Sequence, residues 1–540
     1  MNFEEQLKAL FVAESEIPEP FRIAELHQRE YLSNGEMVKW DGEVSEVYSP
    51  VCLPGAKGLQ RKLMGSYPLA TEKEAMEALA AAEKAYDNGR GEWPTMSIEG
   101  RIKCMQNFVY KMIEQRDLVI NLIMWEIGKS HADSTKEFDR TVEYINLTID
   151  ALKELDRRSS RFEIAEGVIA QTRRAPLGVV LCMGPFNYPL NETYTTLIPA
   201  IIMGNTILFK PPKHGTLVHY PLLKAFKESF PAGVVNTVYG RGATVTPGLM
   251  ATGRINVLAF IGSSKVANDL KKRHPKINRL RAVLSLDAKN AAIVTKNADL
   301  KLAVSEIMLG ALSYNGQRCT ALKIVHVHKD VAEKFLQMLS EAVGKLKLGM
   351  PWVSGVNITP VAEPGKPAYL KDCLDDAIAH GAQVINENGG TSAESFVFPA
   401  VVYPVTRDMK LYLEEQFGPV IPVIPFESIE EPIQYQIDSP HGMQVSIFSN
   451  DGKEIAALID PFVNLVSRVN INSQSQRGPD VFPFTGRKDS AEGTLSVSDA
   501  LRSFSLRSLV AAKMNDTNKQ LFNDIVRGHD SNFLSTDYIF

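Results

Sequence analysis

The chain has 540 residues, of which 44% are hydrophobic. This length exceeds the usual size of a domain built on one hydrophobic core, so we predict two or three domains. Its 59 basic and 63 acidic side chains give a formal net charge of −4, with both signs dispersed. That balance argues against nucleic acid or an anionic membrane as a partner. Five cysteines without metal-ligand spacing predict reduced thiols and no metal site.

Signals for export and membrane insertion are not found in the sequence. The first five residues include two acidic ones, and the N-terminus lacks the basic and apolar regions of a targeting signal. No apolar run reaches the roughly 18 residues that a membrane span needs. We therefore predict a cytoplasmic protein that has no membrane partner.

The predicted elements begin with helices at 72–92 and 96–159, where apolar residues recur at spacings of three and four. Short β-branched runs then alternate with helical stretches, which predicts βαβ crossovers and a parallel sheet. The first set has strands at 179–182, 206–209, 235–239 and 257–261, and helices at 190–203, 216–229 and 263–272. The second set has strands near 291–294, 322–328, 396–404, 420–425, 444–449 and 467–471, and helices near 300–314, 330–346 and 453–461.

The best nucleophile candidate lies in the segment Asn-Gly-Gln-Arg-Cys-Thr at 315–320. Cys319 follows a helix-like run and stands next to Arg318. A fixed positive charge at that position is expected to favour a thiolate at neutral pH.

A second segment, Met-Gly-Pro-Phe-Asn-Tyr-Pro at 183–189, follows an apolar strand-like run. Its Asn187 can project from a strand-to-loop junction and donate a hydrogen bond to a developing oxyanion. The alternative is that Asn187 only caps the helix predicted at 190.

These two segments, with Phe-Lys-Pro-Pro at 209–212 and Glu-Glu-Gln-Phe-Gly-Pro-Val at 414–420, resemble the aldehyde dehydrogenase superfamily. Within it, the chain is similar to the NADP-dependent non-phosphorylating glyceraldehyde-3-phosphate dehydrogenases over about residues 70–510. The resemblance implies an α/β fold with a doubly wound parallel-sheet cofactor domain, an α/β catalytic domain and a small oligomerisation arm. It also accounts for the lack of a Gly-x-Gly-x-x-Gly fingerprint after any strand.

The resemblance also implies domain boundaries and an oligomer. The expected parts are a helical N-terminal part of the cofactor domain at 1–159, an oligomerisation arm at 160–174, the nucleotide-binding sheet at 175–285, the catalytic domain at 286–475, a return to the cofactor domain at 476–503, and an oligomerisation strand with a C-terminal tail at 504–540. The arm is expected to build a homotetramer or, failing that, a homodimer. The polar tail is expected either to lie on a neighbouring subunit or to be disordered.

NADP is the cofactor that the resemblance implies. The matching cofactor-binding positions are Lys210, Lys213, Gly262, Ser263, Glu415 and Phe417. Lys213 stands where NAD-preferring relatives have a glutamate that repels a 2′-phosphate. Without the family context, Glu414 and Glu415 would be an ordinary solvated pair. Ala267 replaces the second glycine of the family's phosphate-binding segment.

A phosphorylated substrate is implied by four further matches. In the glyceraldehyde-3-phosphate branch a tyrosine and three arginines receive the phosphate, and the equivalent residues are Arg140, Tyr188, Arg318 and Arg477. The alternative for Arg140 is a surface pair with Glu137 or Glu143 on the same helix.

The family's general base is missing from this chain. Its Glu-Leu-Gly-Gly-Lys segment appears as Ser-Leu-Asp-Ala-Lys at 285–289, so Ser285 occupies the position of the glutamate. Asp287 lies on the same side of an extended segment and is the predicted replacement base. The alternative is that Asp287 only ends a strand in a turn.

The leading hypothesis is therefore oxidation of glyceraldehyde 3-phosphate to 3-phosphoglycerate through a thiohemiacetal and a thioester on Cys319, with NADP as cofactor. The alternatives are transfer of the acyl group to coenzyme A, a broader-specificity aldehyde dehydrogenase, and a non-catalytic dehydrogenase-like protein. The intact match at Cys319, Asn187, Glu415 and Lys210 argues against the last of these.

Overall fold

The computed structural model describes residues 2–537 and has the expected α/β architecture. A short helix, Phe3–Lys8, precedes strands Leu26–His27, Glu30–Ser33, Glu36–Lys39, Val44–Gly55 and Gly58–Pro68. The prediction that 1–159 is helical is therefore wrong for this part. Pro50 and a register shift between Tyr48 and Cys52 interrupt the long hairpin, and the interruption hides its strand pattern in the sequence.

Helices occupy most of the next 90 residues. Their bounds are Glu72–Tyr86, Glu92–Thr95, Ile98–Ile113, Arg116–Ile127 and His131–Ser159. Gly128, at φ 68°, ends helix Arg116–Ile127 inside the predicted helical stretch 96–159. Glycine is needed there because a Cβ would lie 2.4 Å from the Pro360 carbonyl oxygen. Ser130 then caps the last helix by accepting a hydrogen bond from the Asp133 N–H. No helix within residues 2–537 has the length and apolarity to cross a membrane.

The first main sheet has six strands. Their spatial order is Val235–Thr237, Thr206–Lys210, Val179–Met183, Val257–Ile261, Arg281–Ser285 and Ala491–Glu492. The first five run parallel and the last is antiparallel to its neighbour, so the predicted crossovers are confirmed. The associated helices are Asn191–Ile202, Tyr220–Ser229, Gly242–Ala251 and Ser264–Arg273.

This sheet has a core on each face. Leu181 of the central strand packs with Leu79 and Leu249 on one side, whereas Cys182 belongs to the core that contains Ile198 on the other. The polar ends of the parallel strands consequently become the place where a ligand can bind.

The second main sheet has seven strands. Their order is Gln383–Val384, Ala400–Tyr403, Val420–Phe426, Leu322–His328, Asn290–Val294, Gln444–Phe448 and Arg468–Ile471. Only the first pair is antiparallel. The helices of this half are Leu300–Leu312, Lys329–Gly344, Lys366–Ala379, Lys410–Leu413, Glu430–Asp438 and Gly452–Leu465, and Val497–Ser503 follows them. Two short antiparallel pairs, Ser392–Ala393 with Phe396–Val397 and His441–Gly442 with Arg487–Lys488, lie apart from this sheet.

The predicted arm is a separate antiparallel sheet of strands Glu163–Ala165, Val168–Pro176 and Ser505–Lys513. Its role in oligomerisation stays a prediction. The tail forms a helix, Asp516–Gly528, and then packs against the arm strand Val168–Pro176 of the same chain. There, Gln171 Nε2 donates a hydrogen bond to the Ser535 carbonyl. Neither prediction for the tail anticipated this packing.

Candidate active site

A cavity of about 960 Å³ lies at the carboxyl ends of the first main sheet. Met183, Lys210, Ile261 and Ser285, the last residues of four parallel strands, line it. Open α/β sheets bind their ligands at this edge. Cys319, which comes from the second half of the chain, lines the same cavity.

The backbone around Cys319 is firmly held. The residue follows helix Leu300–Leu312 and a tight turn in which Tyr314 and Asn315 have positive φ. Its carbonyl oxygen accepts hydrogen bonds from Asn290 Nδ2 at 2.8 Å and from Lys323 Nζ at 2.9 Å. The side chain is a free, partly exposed thiol, so a fixed backbone presents a group that remains able to react.

The expected effect of Arg318 on this thiol is wrong. Burial and then the charge of Glu192 raise the pKa of Cys319 to about 11, and nearby cations oppose that rise only in part. Arg318 Nη2 instead donates to two carbonyls of helix Leu300–Leu312. These surroundings favour the neutral thiol of Cys319 over the thiolate.

Asn187 is buried and lines the cavity together with Cys319. Its Nδ2 donates to the Gln317 carbonyl at 2.8 Å, which leaves the second N–H of the amide available for an oxyanion. The alternative role as a helix cap is wrong, because helix Asn191–Ile202 begins after Leu190 without any side-chain cap.

A buried ion pair supports the Asn187 loop. Lys129 donates to a carboxylate oxygen of Glu137 and, at 2.8 Å, to the Asn187 carbonyl. The other oxygen of Glu137 accepts from the N–H groups of Leu190 and Asn191. Sequence reasoning missed the contact between this ion pair and the Asn187 loop, because Lys129 lies 58 residues before Asn187 and no local pattern links them.

The two residues considered for the general base both line the cavity. Ser285 is buried, and its hydroxyl has no hydrogen-bond partner among residues 2–537. Asp287 Oδ2 accepts hydrogen bonds from the N–H and the hydroxyl of Ser264, at 2.7 Å each. Asp287 is thus tied to the first turn of helix Ser264–Arg273 through one of its oxygens.

Sequence reasoning missed another carboxyl group in the cavity, that of Glu192. Glu192 lies in the first turn of helix Asn191–Ile202, and its side chain is only 8% exposed. Arg477 Nη1 donates to its Oε2, whereas no donor within the described chain reaches Oε1. Burial raises the pKa of Glu192, and Arg477 opposes that change. The available signal was that Glu192 is the single charged residue of helix Asn191–Ile202, in which every residue is buried.

All predicted cofactor-binding residues line the cavity, namely Lys210, Lys213, Gly262, Ser263, Glu415 and Phe417. Burial lowers the pKa of Lys210 to about 8, while Lys213 is exposed. Glu415 lies 2.7 Å from Lys323 Nζ, so it is not the solvated charge of the alternative interpretation. Two lysines and a carboxylate in one cavity fit the phosphates and ribose of a dinucleotide. Within residues 2–537 no cluster of three His, Cys, Asp or Glu could hold a metal ion.

Two of the predicted phosphate-binding arginines already have carboxylate partners. Arg140 Nη2 lies 2.9 Å from Asp480 Oδ1, and Arg477 contacts both Asp480 and Glu192. The alternative of a helix-surface pair for Arg140 is therefore wrong. Their positive charges are neutralised in part before any substrate binds.

The other two predicted phosphate-binding residues differ from this pair. Within residues 2–537, Arg318 donates to two backbone carbonyls of helix Leu300–Leu312, has no carboxylate partner and is not among the residues that line the cavity. Tyr188 lies with its ring centroid 3.4 Å from Lys129 Nζ, which is an unforeseen cation–π contact.

This fold, which brings a free cysteine to the carboxyl ends of a doubly wound parallel sheet, is that of an oxidoreductase. The chain belongs to the aldehyde dehydrogenase family, whose profile matches residues 52–510. The family predicted from its motifs is thus confirmed.

Several known proteins are similar to this chain over most of its length. It is 32% identical to an NADP-dependent glyceraldehyde-3-phosphate dehydrogenase of Streptococcus equinus, over 86% of this chain and 94% of the relative. A malonate-semialdehyde dehydrogenase of Listeria monocytogenes is 28% identical, with 88% and 96% covered. The crystal structure of the NADP-dependent glyceraldehyde-3-phosphate dehydrogenase of Bacillus halodurans, complexed with NADP, superposes with a TM-score of 0.82 at 31% identity and covers 91% and 100%.

Proposed function

We propose that this protein oxidises glyceraldehyde 3-phosphate to 3-phosphoglycerate, with NADP as the hydride acceptor. The observation that carries the proposal is the single cavity that joins Cys319 and Asn187 to Lys210 and Lys213. The relatives named NADP-dependent glyceraldehyde-3-phosphate dehydrogenase support this substrate and this cofactor.

The reaction begins at Cys319, whose thiol releases its proton to water and whose sulfur attacks the aldehyde carbon. The Asn187 amide and the Cys319 N–H donate hydrogen bonds to the oxyanion that forms. Bound NADP supplies the hydride acceptor, and the acyl group is left as a thioester on Cys319. A carboxylate then activates the water that hydrolyses this thioester.

Asp287 and Glu192 are the two candidates for that carboxylate. One oxygen of Asp287 is held by Ser264, the first residue of helix Ser264–Arg273. Within residues 2–537 each of the two carboxylates has one oxygen free of hydrogen bonds, and Glu192 exerts the strongest charge effect on Cys319. We therefore favour Glu192 as the base that compensates for Ser285.

Lys213→Glu tests the cofactor. The change replaces attraction to a 2′-phosphate by repulsion, so the ratio of kcat/KM with NADP to that with NAD is expected to fall by about ten- to a hundredfold. Steady-state kinetics with both cofactors measure the ratio. Lys334→Glu, at an exposed helical position outside the cavity, should leave it unchanged. An unaltered ratio for Lys213→Glu would refute the NADP assignment.

Arg318→Gln tests the phosphate. Loss of an arginine with no carboxylate partner is expected to lower kcat/KM for glyceraldehyde 3-phosphate by about ten- to a hundredfold. Unphosphorylated glyceraldehyde, the matched substrate, should be affected far less. Equal losses on both substrates would mean that Arg318 acts only through the backbone of the Cys319 loop.

A second candidate function is transfer of the acyl group to coenzyme A, and Ser285 at the position of the family's base favours it. NADPH formation from glyceraldehyde 3-phosphate, with and without coenzyme A, separates the two. Sustained turnover in water alone supports the hydrolytic function. A single burst that only coenzyme A converts into steady turnover supports acyl transfer.

A further inference from the structure

A second cavity, of about 500 Å³, lies between helix Ile98–Ile113, the arm strand Val168–Pro176 and the C-terminal tail. It shares no lining residue with the catalytic cavity. The last residues of the arm strand, Ala175 and Pro176, line this second cavity, and strand Val179–Met183 of the first main sheet follows directly. The second cavity therefore lies near the Val179 end of that strand, whereas the catalytic cavity lies at its Met183 end. Three arginines line it: Arg101, Arg173 and Arg174.

Arg101 is the most unusual of the three. It is only 4% exposed, yet its guanidinium makes no hydrogen bond with residues 2–537, and its Nε is enclosed without a partner. Burial lowers its pKa to about 10, which still leaves the group charged near neutral pH. A buried charge without hydrogen bonds is costly, and an anion in the adjoining cavity would relieve that cost.

Arg173 and Arg174 add charge at the same place. Arg173 is also buried, has an unpartnered Nε, and forms an ion pair of 3.3 Å with Asp156. Arg174 donates to the Ser505 hydroxyl and to backbone carbonyls. Asp156 beside Arg173 and Asp530 in the wall supply two negative charges against the three arginines, so the cavity keeps an excess of positive charge.

We propose that Arg101, Arg173 and Arg174 form a binding site for a phosphate group, free or carried by a small molecule, that is separate from the catalytic cavity. The planar guanidinium forks match phosphate oxygens in pairs. The other walls include Tyr86, Met96, Ile98 and Phe533, which offer apolar surface to the body of a phosphate ester.

The C-terminal tail closes this site. Residues 530–533 line the cavity, and Asn532 Nδ2 donates to the Thr95 carbonyl at 2.8 Å. Arg173 Nη2 also donates to the Ser535 carbonyl, at 3.0 Å. A bound phosphate is therefore expected to hold the tail more tightly against the arm.

Calorimetric titration of the full chain, saturated with NADP, tests the site with inorganic phosphate and with glycerol 3-phosphate. Arg101→Met should weaken binding by about tenfold or more, because it removes the buried guanidinium but keeps an unbranched apolar side chain. Arg29→Gln, at an exposed arginine outside the cavity, should bind like wild type. Arg174→Gln provides the same test at a partly exposed position if Arg101→Met does not fold.

Hydrogen exchange locates the bound group independently. Phosphate should slow exchange at 530–533 and around 94–101 in wild type and not in Arg101→Met. Tighter binding of glycerol 3-phosphate than of inorganic phosphate would identify an ester as the ligand, whereas equal affinities would identify free phosphate. Absence of binding heat, or equal binding by wild type and both cavity variants, would overturn the proposal.

Discussion

Cys319→Ser is expected to lower kcat for NADP-linked aldehyde oxidation on the order of 10³-fold or more, because a serine hydroxyl is a far weaker nucleophile than a thiolate. Nothing in the cofactor region of the cavity changes, so NADP affinity should stay near that of wild type. Steady-state kinetics measure the first quantity, and fluorescence titration with NADP measures the second.

Cys104→Ser is the matched control for that variant. Cys104 is a partly buried free thiol on helix Ile98–Ile113, away from the catalytic cavity. The Cys104→Ser variant should retain wild-type aldehyde oxidation activity. Full activity of Cys319→Ser, or loss of activity in Cys104→Ser alone, would contradict the assignment of the nucleophile.

Glu192→Gln is expected to leave the first-turnover burst of NADPH intact and to slow steady turnover by about 10²- to 10⁴-fold, because hydride transfer precedes hydrolysis of the thioester. The acyl-enzyme should then accumulate and be visible by intact-protein mass spectrometry. Quenched-flow measurement of NADPH separates the burst from the steady rate.

The same variant has a second, opposite effect that a purely structural role would not produce. The charge of Glu192 raises the pKa of Cys319, so its removal should lower that pKa and accelerate alkylation of the thiol by iodoacetamide at pH 7. Slower hydrolysis together with faster alkylation would identify Glu192 as a charge close to the thioester.

Asp287→Asn is the control that distinguishes the two carboxylates. Its partner is Ser264, so it should mainly affect cofactor binding if Glu192 is the base. A burst followed by slow turnover in Asp287→Asn, with normal turnover in Glu192→Gln, would reverse the assignment in favour of Asp287. Normal steady turnover in both variants would exclude each of them as the base.

The parallel strands were predictable because each is an apolar run bounded by turn residues. The structure gives Val257–Ile261 the predicted bounds, and every residue in that strand is buried. The hairpin of Val44–Gly55 and Gly58–Pro68 was not predictable in the same way. Its partly exposed strands mix polar and apolar residues, and Pro50 interrupts the alternation.

The features of the candidate site also differ in whether the sequence could predict them. Cys319 and Asn187 lie in short motifs, so their shared cavity could be expected from the family resemblance. The charge state of the thiol could not, because it depends on burial and on Glu192, which lies 127 residues away in the chain. Arg318, the sequence neighbour, points its charge at helix carbonyls instead.

The returning tail also has a consequence for proteolysis. Gln171 and Arg173 of the arm both donate to the carbonyl of Ser535, so the backbone there is pinned by two side chains of one strand. Cleavage of the backbone at Ser535 by an endoprotease should therefore require these hydrogen bonds to open. The rate of that cleavage would measure directly how firmly the arm holds the tail.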